Sequence, residues 1–434
     1  MMPLAMIHGL KWADLPPAVQ QQTKMCLLDL IGVAVGGHNT LLAQIIRDHA
    51  CETFGGAQPM LFEGRTASAA GVALAAGMTI DALDGHDGFN PAKGHIGCSL
   101  FPAALALAHQ HAATGDDFLT SIALGYEFGA RIALTQHATV PDYHTSGSWG
   151  AVACAAAGAR LAGLNPDQTR HALGIAEYHG PRSQMMRCID HPTMLKDGSG
   201  WGAMTGVSAV QLAAKGFTGA PAITVEQAPE FWGDLGQRWL ILEQYFKPYP
   251  VCRWAQAPIE GVLALARAHN ISADMVEHIE ITSFDEAVRL ATNCPTCTEE
   301  AQYSTSFPCA VALVRGTVTP QDIADDALND PEILRLSMGL KMIASDFANA
   351  NFPQTRPAKA TLVLKDGTRL EGDYTQPRWD HLNPPTEAEL RKKYRDLAAP
   401  LLGQARADAI EKALANLHDT ELAPLTNLLF QPIN

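Results

Sequence analysis

A chain of 434 residues is longer than one ordinary hydrophobic core supports, so two domains are expected. Hydrophobic residues at 47% and charged residues at 18% give the balance of a soluble globular protein. A formal charge of −14 argues against a nucleic-acid surface, which needs a clustered basic face, and requires a local cationic pocket for any anionic ligand.

Nine cysteines, an odd number scattered through the chain, suit a reducing compartment. Cys294-Pro-Thr-Cys297 lacks the second pair that a zinc ribbon needs, so no metal is expected there. The opening MMPLAMIHGLKW has no signal-peptide pattern, and no apolar run approaches the ~18 residues that span a bilayer. The expectation is a cytoplasmic protein without a membrane partner.

After Pro16-Pro17 a first helix carries Leu27, Leu28, Ile31 and Val35 on one stripe and stops at Gly36-Gly37. A second runs from Leu41 to Thr53, and Ala67 to Ile80 is a third helical pattern. Between it and the next apolar segment lies DALDGHDGFNPAKGHIGCSLFP, residues 81–102. This stretch holds carboxylates, two imidazoles and an ammonium, and Gly85, Gly88, Pro91, Gly94 and Gly97 break its backbone into irregular structure. Loops held between packed helices concentrate binding and catalytic groups, so the chemistry is placed here.

Ser99 is read as the N-cap of a helix from Leu100 to Ala113, and Asp116 or Asp117 as the cap of the next. A loop over 137–147 precedes the small-residue helix WGAVACAAAGARLAGL, and Asn165-Pro166 signals another helix start. Glycines 198, 200, 202 and 206 do not fit G-x-G-x-x-G and follow no strand, which argues against a dinucleotide site. The first 245 residues or so therefore read as helical.

The texture changes after Lys247-Pro-Tyr-Pro250. His278, Glu280 and Thr282 alternate with Ile279 and Ile281 as a strand, and AKATLVLKDGTRLEGDY is a hairpin turning at Asp366-Gly367. Helical patterns lie between them, near 305–314 and 331–342. Thr386 and Glu389 form a capping box before a helix over 390–401, and a last helix covers 407–417. The expected architecture is mainly α: an all-helical domain from both chain ends (1–247 and 385–434) and a smaller α+β lid domain (248–384).

Seven segments in order resemble the MmgE/PrpD family. They are LLDLIGVAVGG (27–37), ALD with the later G-H-x-G-x-x-x-x-P-A (82–103), GYEFGARI (125–132), YHTSGSWGAVACAAA (143–157), MLKDGSGWGAMTGVSAVQLAAKGFTG (194–219), FKPYPVCRWAQAPIE (246–260) and NPPTEAELRKKYRDL (383–397). The resemblance implies a helical domain with an α+β lid, a homodimer, and a metal-free, cofactor-free site between the domains. It also implies chemistry on a small carboxylate: 2-methylcitrate dehydration, cis-aconitate decarboxylation or iminodisuccinate epimerisation. Carried over by position, it puts the catalytic aspartate at Asp84, histidines at His95 and His144, and lysines at Lys196 and Lys247.

There are departures. The family's D-F-D-D-T is here Asp84-Gly85-His86-Asp87-Gly88, so a threonine is lost and a histidine gained. Its H-P-G or H-P-S is His95-Ile96-Gly97, preceded by an extra base, Lys93, and Phe307 stands where decarboxylase-type members can present a tyrosine.

A proton beside a carboxylate is poorly acidic, so the site must neutralise the charge that builds as it leaves. A lysine about 4 Å from a carboxylate is worth roughly 4 kcal/mol at an effective dielectric near 20. Lys196 and Lys247 are the candidate cations, with Arg253 as a third. The base needs a pKa near working pH, which points to His95 or His144, with Asp84 orienting an imidazole or itself acting as base. Lys93, His86, Tyr143 and Tyr249 complete the candidate substrate-binding set. The expected function is a hydro-lyase, with an epimerase second, a decarboxylase third, and a non-catalytic binding member or a zinc enzyme using Cys294 and Cys297 as rivals.

Overall fold

The first long helix runs Pro17–Gly37 and the second Leu41–Thr53, where Thr40 Oγ1 accepts from the Ala43 amide at 3.2 Å. The computed structural model describes residues 2–433 and contains twenty α-helices and a few short strands. The fold is mainly α with a small α+β part. The Pro17–Gly37 helix is buried almost all round, not along one stripe, because the helix Glu387–Leu402 from the C-terminal part of the chain packs on its outer side. A Cβ on Gly32 would stand 3.2 Å from Tyr394 Cα, so glycine sets how closely these two helices approach.

The same device joins the helices Ala69–Asp81 and Ser199–Ala214, which flank the candidate loop and carry its neighbours. A Cβ on Gly77 would lie 2.7 Å from Gly200 Cα. The next helix begins at Gly97, so Ser99 is not its N-cap. Its hydroxyl donates to the Ser199 carbonyl at 2.9 Å, an acceptor that no spacing within one helix reveals. Thr114, not Asp116 or Asp117, caps Gly115–Thr139, which extends into the stretch expected as loop. Asn165 and Gln168 form a capping box at Pro166–His179.

Strands Lys341–Ala344, Val276–Ser283, Lys359–Leu364 and Arg369–Glu371 form a sheet in that order, the first pair parallel and the others antiparallel. The hairpin turns at Gly367 with φ +88°. The helix starting at Pro331 ends at Gly339, and the next residues make a mostly exposed edge strand. A four-residue edge strand buries too little to show period-two alternation.

Two large apolar clusters result. One unites the N-terminal helices with Leu390, Tyr394, Ile410 and Leu414 of the tail; the other holds Val262, Ile279, Phe307 and Leu362. Lys393 crosses from the tail helix to donate to Asp29 Oδ1 and to the Gly85 carbonyl, both at 2.6 Å. No single helix among the described residues is long and apolar enough to cross a membrane; the first two meet that test only as a pair bent by 94°.

Candidate active site

Asp84 lies three residues beyond the end of Ala69–Asp81 with φ +48°, in the left-handed region. Lys93 (φ +53°) and Lys196 (φ +51°) share that conformation, so three of the seven non-glycine residues with positive φ are candidate site residues. Such conformations cost about 1 kcal/mol or more each and collect where surrounding structure imposes a geometry. A two-residue ribbon lies beside Asp84. Gly88–Phe89 pairs antiparallel with Gln244–Tyr245 and carries Lys247 to Asp84.

Lys247 is fully buried and donates to Asp84 Oδ1 at 2.5 Å and to the Asp84 carbonyl at 2.6 Å. Burial alone would push the Asp84 carboxyl up, but Lys247, His95 and His86 hold it below its ordinary value. The lysine responds in kind: burial disfavours its charge, and Asp84 more than restores it.

His95 is fixed by its backbone. Its amide donates to Ser146 Oγ at 2.8 Å and its carbonyl accepts from Trp149 Nε1 at 2.7 Å. Its Nδ1 faces the Asp87 carbonyl at 2.9 Å, an acceptor only, so Nδ1 carries the proton and Nε2 is the free, reactive nitrogen. Nε2 lies 3.5 Å from Asp84 Oδ1 and 3.9 Å from Asp197 Oδ2. Burial, with the charges of Lys247 and His86, depresses the His95 pKa to about 3 and keeps the ring neutral.

His86 stacks edge-on against His95 at 4.4 Å, with Nδ1 3.2 Å from the Asp87 carbonyl and Nε2 3.3 Å from Asp81 Oδ1. Asp81 and Asp197 are neighbours, the Asp197 amide donating to Asp81 Oδ2 at 3.3 Å. Burial and the Asp81 charge push Asp197 well up, whereas for Asp81 the His86 hydrogen bond and nearby cations outweigh burial and hold it down. Asp197 accepts from the Ser146 amide at 2.8 Å and also from its hydroxyl.

Lys196 is buried, donates to Gln302 Oε1 and lies 4.5 Å over the Tyr303 ring. Gln302 in turn donates to the Ala82 carbonyl at 2.6 Å.

In front of Asp84 and His95 is a cavity of about 30 Å³ lined also by Lys93, Tyr143, Tyr245, Arg253, Tyr303 and Arg356. Of the ten candidate residues, Asp84, His95, Lys93, Tyr143 and Arg253 line it. His86 and Lys247 pack directly against Asp84, and Lys196 stands beneath Tyr303.

The remaining two candidates stand apart from both the lining and its immediate neighbours. His144 stacks on His137 at 6.4 Å, and its buried Nε2 has no hydrogen-bond partner. Tyr249 donates to Glu260 at 2.8 Å and faces a different cavity, of about 440 Å³, on the Gly85 side of the loop.

Asp84, His86 and His95 place ligand-type atoms within 4.8 Å of one another, the one such set among the described residues. The set does not suit a dication well. The Lys247 ammonium already occupies Asp84 Oδ1, and both His86 nitrogens face protein acceptors.

Residues 4–231 match the MmgE/PrpD N-terminal domain and residues 249–419 the MmgE/PrpD C-terminal domain. The chain belongs to the MmgE/PrpD family. Similar proteins include a cis-aconitate decarboxylase-like protein of Aspergillus oryzae, 25% identical over 95% of this chain and 92% of that one. The cis-aconitate decarboxylases of Mus musculus and Homo sapiens are each 24% identical over 98% of this chain, covering 92% and 93% of their own lengths. These relatives are enzymes.

Two departures from the MmgE/PrpD pattern have structural explanations. At Gly88, where the threonine is lost, a Cβ would lie 2.4 Å from Tyr245 Oη and 2.9 Å from His95 Nδ1. The tyrosine ring fills the room a side chain would need. Phe307 is fully buried in the α/β cluster rather than in the site, while Tyr303, four residues earlier, lines the cavity.

Sequence reading missed Asp81, Asp197, Tyr245, Tyr303, Gln302 and Arg356. Asp81 and Asp197 had a usable signal, since each adjoins a motif that was singled out. Arg356 had none, being 266 positions from the Asn90 side chain it binds.

Proposed function

We propose that this MmgE/PrpD protein is a lyase working without a cofactor, which takes a proton from the carbon beside a carboxylate of a small di- or tricarboxylate and expels water. The observation that carries this reading is the free Nε2 of His95, 3.5 Å from the Asp84 carboxylate at a small, cation-lined cavity. His95 is the base. Asp84 stabilises the imidazolium that forms, and Lys247 keeps Asp84 charged while it does so.

Lys93 meets the carboxylate on which charge builds; its Nζ lies 4.3 Å over the Tyr143 ring and it has no carboxylate partner of its own among the described residues. Lys196 adds to the local positive field. His144 lies outside the cavity lining, so the proton that His95 has taken is the one available to the leaving hydroxyl. The cavity is small, about 30 Å³, and we expect 248–384 to move as a lid when substrate enters. We expect the enzyme to work as a cytoplasmic homodimer with no nucleic-acid or membrane partner.

A second reading, decarboxylation of an unsaturated tricarboxylate, is favoured by Tyr303 in the cavity and by the names of the similar proteins. Proton NMR in deuterated water, with citrate-type hydroxy acids and cis-aconitate as probes, separates the outcomes. A new olefin supports the hydro-lyase, and carbon dioxide with a shortened acid supports the decarboxylase. Deuterium entry without change of skeleton means an epimerase and overturns both. His95→Ala is expected to lower turnover by at least ~100-fold, and near-normal turnover overturns its role as base.

A further inference from the structure

Arg356 lines the cavity with Arg253, and only Arg253 of the two is paired with a carboxylate of the protein. Arg356 is buried. Its Nη1 donates to Asn90 Oδ1 at 2.8 Å and to the Pro353 carbonyl at 3.1 Å, and its Nη2 donates to the Asn90 carbonyl at 3.3 Å. It has no carboxylate partner among the described residues. Arg253 Nη2 holds Asp380 at 2.7 Å, and its Nη1 donates to the Phe246 and Arg378 carbonyls.

On both residues Nε is buried and has no acceptor. A buried, unpartnered N–H on a permanent cation is unfavourable, and Arg356, which unlike Arg253 has no carboxylate of its own among the described residues, calls for an anion that the chain does not supply. Guanidinium geometry suits a carboxylate.

We propose that Arg356, with Arg253, clamps a carboxylate of the substrate remote from the reacting carbon, so that the enzyme selects acids carrying at least two carboxylates. This rests on the lyase reading above. Arg356 belongs to the 248–384 segment and Asn90 to the loop that carries Asp84 and His95. The anion it holds therefore also fastens that segment over the site. Lys93 serves the reacting end, and the two arginines serve the other.

The test measures binding of propane-1,2,3-tricarboxylate, which cannot react, and of butanoate, which has one carboxylate, to wild type, Arg356→Gln and Arg356→Lys, each checked by its melting curve. Arg356→Gln is expected to weaken the tricarboxylate about 30-fold and butanoate less than about 3-fold. Arg356→Lys keeps the charge without the fork and should fall between. On a turned-over polycarboxylate KM rises while kcat is largely kept.

Equal weakening of both acids means a structural role and overturns the clamp. So does unchanged discrimination in variants whose wild-type parent turns over polycarboxylates. If wild type binds neither acid and turns over no polycarboxylate, the lyase reading fails and the clamp with it.

Discussion

Lys247→Met removes the ammonium from Asp84 while keeping much of the side chain's volume. At 2.5 Å the direct attraction is roughly 7 kcal/mol for an effective dielectric near 20. Desolvating both ions offsets much of that, so deleting one partner should cost about 3–5 kcal/mol, because Asp84 is left buried and unpaired.

The pH dependence gives the sign. In wild type the Asp84 pKa is depressed, so its contribution is complete above the ordinary carboxylate value and is lost as pH falls through the lower folded value. Without Lys247 the largest charge opposing burial is gone, and the Asp84 pKa rises. The variant then gains stability relative to wild type as pH falls and Asp84 takes up a proton. Urea unfolding followed by circular dichroism at pH 8 and pH 5 should show a gap that narrows at pH 5. Asp84→Asn made in the Lys247→Met background should recover part of the loss at pH 8. A gap equal at both pH values, or no recovery in the double variant, would refute the reasoning.

Gly88→Thr should displace Tyr245 and destabilise by about 1–3 kcal/mol, since the new Cβ falls within 2.4 Å of Tyr245 Oη; Gly88→Thr with Tyr245→Ala should be milder, and an equal loss in both would count against the packing argument. Glu127 is buried and its pKa is raised to about 7, so wild-type stability attributable to it declines as pH rises from the unfolded carboxylate value through 7. Glu127→Gln should therefore match wild type near pH 5 and exceed it by about 2 kcal/mol at pH 8 in the same unfolding assay. Exhaustive chelation should leave turnover unchanged; loss of activity that zinc restores would mean that Asp84, His86 and His95 bind metal despite Lys247.

Local signals were legible in the chain and distant ones were not. Asn165-Pro166, Thr386 with Glu389 and Asp366-Gly367 act within a few residues, and each element formed where its signal stood. Ser99 failed as a cap because its partner belongs to another helix. Asp84 and His95 share one loop and could be read together. Lys247 and Tyr249 are two positions apart but point to opposite sides of that loop, a distinction made by the ribbon at Gln244–Tyr245 rather than by the motif. The Asp197 proton and the Arg356 guanidinium depend on neighbours contributed by other segments, so residue type alone could not announce them.

The tail helix has a bearing on how the enzyme is born. Lys393 reaches back to grip the carbonyl of Gly85, one residue from Asp84, and Asp29 on the first long helix. A nascent chain emerging from the ribosome can thus build most of its helices early, yet it cannot brace the acidic loop until residues 387–402 arrive. Competence should switch on late in synthesis, and a chain cut before Lys393 should keep most of its helical signal while lacking turnover.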